Sequence, residues 1–537
     1  MSQSGSLGGG GTLPVIVPTS FTGDTGIAIP VANNITIFAN KATRNSGASV
    51  QFTNAGAVST LNVTDANGST YIGKNSGSLT ATGAFNVGLG NSALNSITTG
   101  TRNVAVGSES SFLGQTIGFS VAIGTGALRA NISGDSNTAV GDGCLAVFTG
   151  VRTTAMGSAA LGSCTTGVQN TALGYRAGVS ITTGGLNTAI GNNTLTLVTT
   201  QSSNTAIGNQ AQTGATGLNN TSVGDSTLIQ STVGYNTAIG YKSSSLITTG
   251  IGNCSAGYLS LSNCTTGSNN TALGNSAMLA ITTGADNVAI GRESLNSCST
   301  GTSNVAIGSS ALYGCTVGQN VAVGSNTMVS TTTGANNVAI GYRVCNVMST
   351  GANNVGVGHN SLSTLVTGTN NTAIGFQAGT NLGLASSNNI CVSHVGVAGN
   401  DTTRIGTTQT TCFIAGINGV TITGGTAVLC DANGQLGTVV SSLRYKDNIV
   451  DMPDTISILK LRPVKFNFKM SFAPKQNKED QYGLIAEEVA KDFPYLCVYK
   501  DGKPESVKYH ELCTFLLKEV QRLEKRLSLV EKKATFK

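Results

Sequence analysis

The stretch GTVVSSLRYKDNI, Gly437 to Ile449, gathers two serines, an arginine and a lysine at Ser441, Ser442, Arg444 and Lys446. A serine hydroxyl becomes a nucleophile when a base takes its proton. The three histidines, His359, His394 and His510, lie far from this stretch in sequence and make no Ser-His-Asp order. Lys446 is therefore the candidate base. A lysine acts so only as the neutral amine, and an unperturbed one keeps its proton to about pH 10.4. The role asks for burial or for a neighbouring positive charge, which Arg444 is placed to supply. The separation along the chain is awkward. An extended strand would hold Ser441 and Lys446 about 16 Å apart, and a helix would set them about 140° apart around its axis. A turn or a neighbouring chain must close the gap, which would tie the chemistry to folding and to assembly.

The pair sits on a seam in composition. Residues 441–537 carry 33 charged side chains, whereas the 300 residues from 81 to 380 carry 13. Glycine fills 71 of 537 positions, tryptophan is absent and charged residues are only 10%, the composition of a repeat or fibre protein rather than of one globular core. No apolar run approaches the length of a membrane span. The start, MSQSGSLGGGGTLPVIVPTS, has neither the basic nor the apolar region of a signal peptide. Twelve cysteines scattered without CxxC pairs point to a reducing site of synthesis and to no metal centre. A net charge of +6 over this length does not by itself imply nucleic acid.

From about residue 81 to 380 a five-residue phrase recurs (NVGLG, NVAVG, NTALG, NTAIG, NVAIG), closing on glycines from Gly90 and Gly107 to Gly358 and Gly375 at a constant step of 16 or 17 residues. That step suits one coil of a β-solenoid. Adjacent strand positions face opposite ways. The apolar fourth position (Leu89, Val106, Ile123, Val140) is expected to fill the coil, and the small third position to admit another backbone layer from outside. The repeat glycine and those of the TTG phrases (Gly100, Gly184, Gly250, Gly284) are expected at positive φ, with the asparagine of position one stacking as a ladder. Cys164, Cys264, Cys298 and Cys315 each fall seven residues after a repeat glycine. They read as small buried hydrophobes, with crosslinking of stacked thiols as the alternative. A calcium ladder lacks its aspartates, and an ice-binding surface lacks a sustained Thr-x-Thr face.

The period ends near residue 381, where short alternating strands read as a collar. The tail beyond reads as α+β: a short helix over Ser457 to Leu461, a strand with Val464, Phe466 and Phe468 on one face, and a helix in GLIAEEVAKDFP. In its closing helix Cys513, Leu516, Val520, Leu523, Leu527 and Val530 are spaced 3, 4, 3, 4 and 3, an a/d seam that wants partner helices. The alternative is a helix folded back on its own domain.

The NVAIG phrase at this kind of period resembles the head repeats of trimeric autotransporter adhesins, whose left-handed parallel β-rolls pack three chains about one axis. The step here is longer than theirs. GQLGTVVSSLRYKDNI, LRPVKFNFK, QYGLIAEEVA and the closing helix together resemble the C-terminal intramolecular chaperone domain of phage endosialidase tail spikes and related fibres. In that family the domain helps three chains assemble and then cuts itself off by serine autoproteolysis. The cut falls just before a serine, with Arg three and Lys five residues on. The resemblance implies Ser441 as nucleophile, Lys446 as base, Arg444 as its support and Val440–Ser441 as the scissile bond. Many members have Asp where this chain has Ser442, so a shift of the nucleophile and the cut by one residue stays open.

The chain is thus expected to be mainly β, a trimeric parallel β-solenoid (β-roll) shaft with a C-terminal α+β chaperone domain ending in a coiled-coil helix. Its expected parts are a virion-attachment segment over 1–80, the shaft over 81–380, the collar over 381–440 and the chaperone autopeptidase over 441–537. The functional reading is a homotrimeric viral fibre or tail-spike-like protein, made in the host cytoplasm and carried on the virion surface. Its one expected enzymatic act is self-cleavage. The expected partners are its own copies, a virion component at the N-terminus, and a host glycan or receptor on the shaft. No cofactor, metal, nucleic acid or membrane insertion is expected. Two rivals stand beside this reading. One is an unprocessed trimeric adhesin with the tail as permanent cap. The other is a polysaccharide-degrading spike, for which the shaft acids (Glu109, Asp135, Asp142, Asp225, Asp286, Glu293) are few and scattered.

Overall fold

The computed structural model describes residues 65–535 apart from 66, 79, 416, 418–422, 432–433, 455–456 and 470–479. Residues 1–64, most of the expected attachment segment, lie outside the described residues. The chain divides after Thr410 into two compact units.

In the first unit each phrase makes a strand of three residues that the glycine ends. With one strand before the eighteen phrases and two after them, twenty-one strands, β1 (Thr70–Ile72) to β21 (Thr403–Ile405), form one sheet. Every strand pairs in parallel with the next, as in Val305↔Val321 and Ala306↔Ala322. At about 4.8 Å per rung the ladder is roughly 95 Å long. It is a parallel β-solenoid, and it overruns the repeat at both ends: β1 precedes residue 81, while β20 (Ile390–Val392) and β21 lie in the stretch expected as a collar.

The strands face the other way from the expectation. The small third position is the interior one, with Ala105, Ala139, Ala206 and Ala306 all fully buried, while positions two and four share the outer face. The reason lies in the turn after each glycine. Leu128, Leu145, Leu161 and Leu195 adopt φ of 49 to 50° and are fully buried, so their side chains occupy the interior opposite the strand. Left-handed backbone costs a leucine roughly 1–2 kcal/mol, and burying it returns roughly 1.5–3 kcal/mol. Only a small residue fits beneath, Ala, Gly or Ser in every phrase. At Gly356, a third position without a methyl, an added Cβ would already lie 2.6 Å from Val344.

Glycine closes the strand of each phrase for two reasons at once. Gly208 has φ +128°, and a Cβ on it would lie 2.4 Å from the Gly224 carbonyl oxygen of the next coil. The TTG glycines differ from expectation, since Gly100, Gly184, Gly250 and Gly284 are not among the residues at positive φ. Close approach alone requires them, because a Cβ on Gly250 would lie 2.1 Å from the Gly267 oxygen.

The asparagine ladder is buried and continuous over long stretches. Asn270 Nδ2 donates to Asn253 Oδ1 (3.2 Å) and to the Gly284 carbonyl (2.9 Å), while its Oδ1 accepts from the Asn287 backbone and side chain, both at 3.1 Å. Asn270→Ala would leave a buried amide and a buried carbonyl without these partners. It is expected to cost about 1–3 kcal/mol, seen as a lower urea midpoint of the folded full chain.

The second unit holds two short antiparallel pairs beyond residue 460: β24 (Val464–Phe466) with β25 (Gln481–Gly483), and β26 (Cys497–Lys500) with β27 (Lys503–Val507). Before them lie the pair β22 (Leu429–Cys430) and β23 (Leu436–Gly437) and a 3-10 turn at Ile458–Lys460, where a short helix was expected. Helix α1 (Ala486–Asp492) and helix α2 (Tyr509–Thr535) complete it. Its core is Ile458, Val489, Phe493, Leu496, Cys497 and Val507.

Helix α2 uses two faces. Leu512 and Phe515 pack on that core, and buried Glu519 accepts from Ser457 Oγ (3.0 Å) and pairs with Arg522. The seam residues Cys513, Leu516, Val520, Leu523, Leu527 and Val530 are all exposed. The helix therefore folds back on its domain with one face and leaves the expected seam uncovered on another.

Candidate autoproteolytic site

The seam between neutral and charged chain folds as a single tight turn. Ser442 is extended at φ −68°, ψ 142° and precedes a 3-10 turn, Leu443–Tyr445. The Tyr445 amide donates to the Ser442 carbonyl at 3.0 Å, and the Lys446 amide to the Leu443 carbonyl at 3.1 Å. A 3-10 turn advances about three residues per revolution. It brings residues on either side of it back together, which neither a strand nor an α-helix does at this spacing.

The consequence is a direct contact. Lys446 Nζ donates to Ser441 Oγ at 2.9 Å, within the reach a nucleophile and its base require. The gap that the spacing left open is thus closed inside one chain, without a neighbour. The Ser442 side chain makes no capping hydrogen bond. Arg444 places its guanidinium over the Tyr445 ring, 5.0 Å from the centroid.

The setting of the pair is open. Residues 434–454 are exposed apart from a half-covered Met452, and Val439, Val440, Leu443, Tyr445, Ile449 and Val450 are each more than half exposed. Six apolar side chains bared within twelve residues are unusual for a finished surface.

The histidines are elsewhere. His359 stacks between Tyr342 and Phe376 in the shaft, His394 Nδ1 accepts from the Gly396 amide, and His510 lies 3.7 Å from Glu511. Five of the six shaft acids are engaged locally. Glu109 pairs with Arg129, Glu293 with Arg292, Asp135 accepts from the Gly118 amide, Asp225 from Ser226 and Asn209, and Asp286 from Asn269. The Ser226 and Asn209 hydrogen bonds hold the Asp225 carboxyl below its ordinary range. Among the described residues no group of three or more His, Cys, Asp or Glu is arranged to hold a metal ion, and no helix is long and apolar enough to cross a membrane.

No curated protein and no solved structure matches the chain. A peptidase family model, described as chaperone of endosialidase, matches residues 441–497. The matched stretch opens on Ser441 and ends within β26, and behind a β-solenoid shaft it fits a fibre protein that carries an endosialidase-type chaperone domain at its C-terminal end.

Proposed function

We propose that the chain is one subunit of a homotrimeric viral fibre whose C-terminal unit drives assembly and is then removed by a single cut between Val440 and Ser441. The observation that carries this reading is the 2.9 Å contact between Lys446 Nζ and Ser441 Oγ at the first residue of the matched stretch.

The chemistry follows from Ser441 lying directly after the scissile carbonyl. The neutral Lys446 amine takes the Ser441 hydroxyl proton, and Oγ attacks the Val440 carbonyl carbon through a five-membered ring. The Val440–Ser441 C–N bond breaks and the departing nitrogen takes a proton back from Lys446, which leaves an ester between Val440 and the Ser441 oxygen. Water hydrolyses that ester to a Val440 carboxylate and restores the Ser441 hydroxyl beside a new amino terminus.

Lysine gains neutral character when it is desolvated. In the single chain the pair is open to water, ringed by bared apolar side chains. Packing of further copies over that ring would bury it, so the cut waits for assembly. The bared α2 seam supports the same reading, since seams of this spacing pair helix with helix. The shaft offers a third surface, the outer strand face with its row of Ile, Val and Leu. The N-terminal segment would dock to the virion, and the shaft would meet a host surface glycan or receptor.

Lys446→Ala and Lys446→Arg test the base. Both are expected to give intact chains under conditions in which the wild type is cut, because a guanidinium does not give up its proton near neutrality. Intact mass of the purified product reads the result. Full cutting of Lys446→Arg would remove Lys446 from the mechanism. A wild type that assembles and stays intact would make the tail a permanent cap.

A further inference from the structure

One column of the shaft interior is filled by the residue seven places after each repeat glycine. Along it run Ile281, Cys298, Cys315, Thr331 and Met348, one per coil and all fully buried. Cys164 and Cys264 occupy the same column, but their neighbours there are Phe148 and Ile181, and Ile247 and Ile281. Within this column only Cys298 and Cys315 set two thiols on successive coils.

The backbone around them is one rung apart. The Ser297 amide donates to the Tyr313 carbonyl at 2.8 Å, and Thr300 Oγ1 to the Thr316 carbonyl at 3.4 Å. A rung of about 4.8 Å falls inside the roughly 4.4–6.8 Å between Cα atoms that a disulfide spans. The neighbouring Cys315 thiol pushes Cys298 up, and the Cys298 thiol draws Cys315 down. Cys164 and Cys264 have no such neighbour, and burial pushes each to about 11. Cys315 also bonds the Val317 carbonyl at 2.9 Å. Exposed residues flank the pair directly, Ser297 before Cys298 and Thr316 after Cys315, so one thickness of backbone separates the sulfurs from water.

We propose that Cys298 and Cys315 are a latent disulfide which a small hydroperoxide closes in the folded shaft, stapling two successive coils. The Cys315 thiolate attacks one peroxide oxygen, the O–O bond breaks, and the departing hydroxide takes up the thiol proton as water, leaving a sulfenic acid. The Cys298 sulfur then attacks the Cys315 sulfur, the S–O bond breaks, and a second water leaves with the Cys298 proton. Two thiols are oxidised to one disulfide and one hydrogen peroxide is reduced to two waters.

A single tryptic peptide, Glu293 to Arg343, contains both cysteines and no others, which makes the test direct. The folded full chain is treated with hydrogen peroxide, quenched, unfolded in an alkylating agent and digested. The alkyl groups on this peptide are expected to fall from two to none, with a mass lower by two hydrogens, and to return to two after a thiol reductant. Oxygen added at Met328 would shift the mass without changing the alkyl count. The Thr153–Arg176 peptide, with Cys164 alone, should keep its alkyl group. In Cys298→Ser the loss of two hydrogens should disappear. Two alkyl groups on the treated wild-type peptide, or sulfinic acids in place of a reducible bond, would overturn the proposal.

Discussion

Ser441→Ala is expected to yield one uncut chain of 54.1 kDa, and the wild type is expected to separate into residues 1–440 and 441–537. Alanine removes the attacking oxygen while leaving the turn's backbone hydrogen bonds, from Tyr445 to Ser442 and from Lys446 to Leu443, in place. Loss of a nucleophile that acts as a unit with its base slows such chemistry by about 10³-fold or more, which over a purification reads as no cutting. Ser442→Ala separates the two serines. With Ser441 as nucleophile it leaves the cut at Val440–Ser441. If Ser442 attacked its own preceding carbonyl, the wild-type products would instead be residues 1–441 and 442–537, the shaft heavier and the tail lighter by one serine, and Ser442→Ala would stay whole. The contact of Lys446 with Ser441 favours the first outcome. Assembly should survive Ser441→Ala, because the residue lies outside both the α2 seam and the outer strand face.

How much of this was legible from residue types depends on the element. The 16- or 17-residue step between glycines is a covalent fact, and a coil of that length with a three-residue strand has few ways to stack, so the solenoid could be read directly. Which strand face turns inward could not be read from positions three and four alone. Position two held the missing signal: it is Val or Thr in almost every phrase, so positions two and four, on one side of the strand, are both large. The buried leucines with φ near 50° then take the interior, an arrangement that propensity argues against. The Ser441–Lys446 contact was illegible for a related reason. Five residues fit neither regular period, and a 3-10 turn reads in sequence like any other loop. Helix α2 was legible because the 3-4 spacing of its apolar residues is helical by construction, whereas the fold-back that stood as the alternative depended on Leu512, Phe515 and Glu519, which lie outside that spacing.

Placing lysines on the outer strand face, as in Ile239→Lys with Ile340→Lys, is expected to turn an assembled fibre into single chains by light scattering. Both isoleucines are fourth-position residues, 45% and 41% exposed, in a row that continues on the same face of every strand. Full burial of an isoleucine is worth roughly 1.5–3 kcal/mol, so covering the remaining two fifths of one contributes about 0.6–1.2 kcal/mol. Repeated over some twenty rungs that is on the order of 10 kcal/mol or more per chain, before the cost of association. Another copy of the chain presents the same row at the same rung spacing. Each substitution instead brings an unpaired ammonium to a surface that assembly would dry, and in a symmetric trimer the three charges would meet. The row faces away from the coil interior, so the coil itself should stay folded. Thr333→Lys, on an exposed corner, should leave assembly unchanged. The same double variant also tests the coupling between assembly and cutting. Its Ser441 and Lys446 are untouched, yet if burial by neighbouring copies is what activates the pair, its chains should stay uncut. Single chains cut at the wild-type rate would show that the turn is competent alone, and fully assembled chains would show that the copies meet through another face.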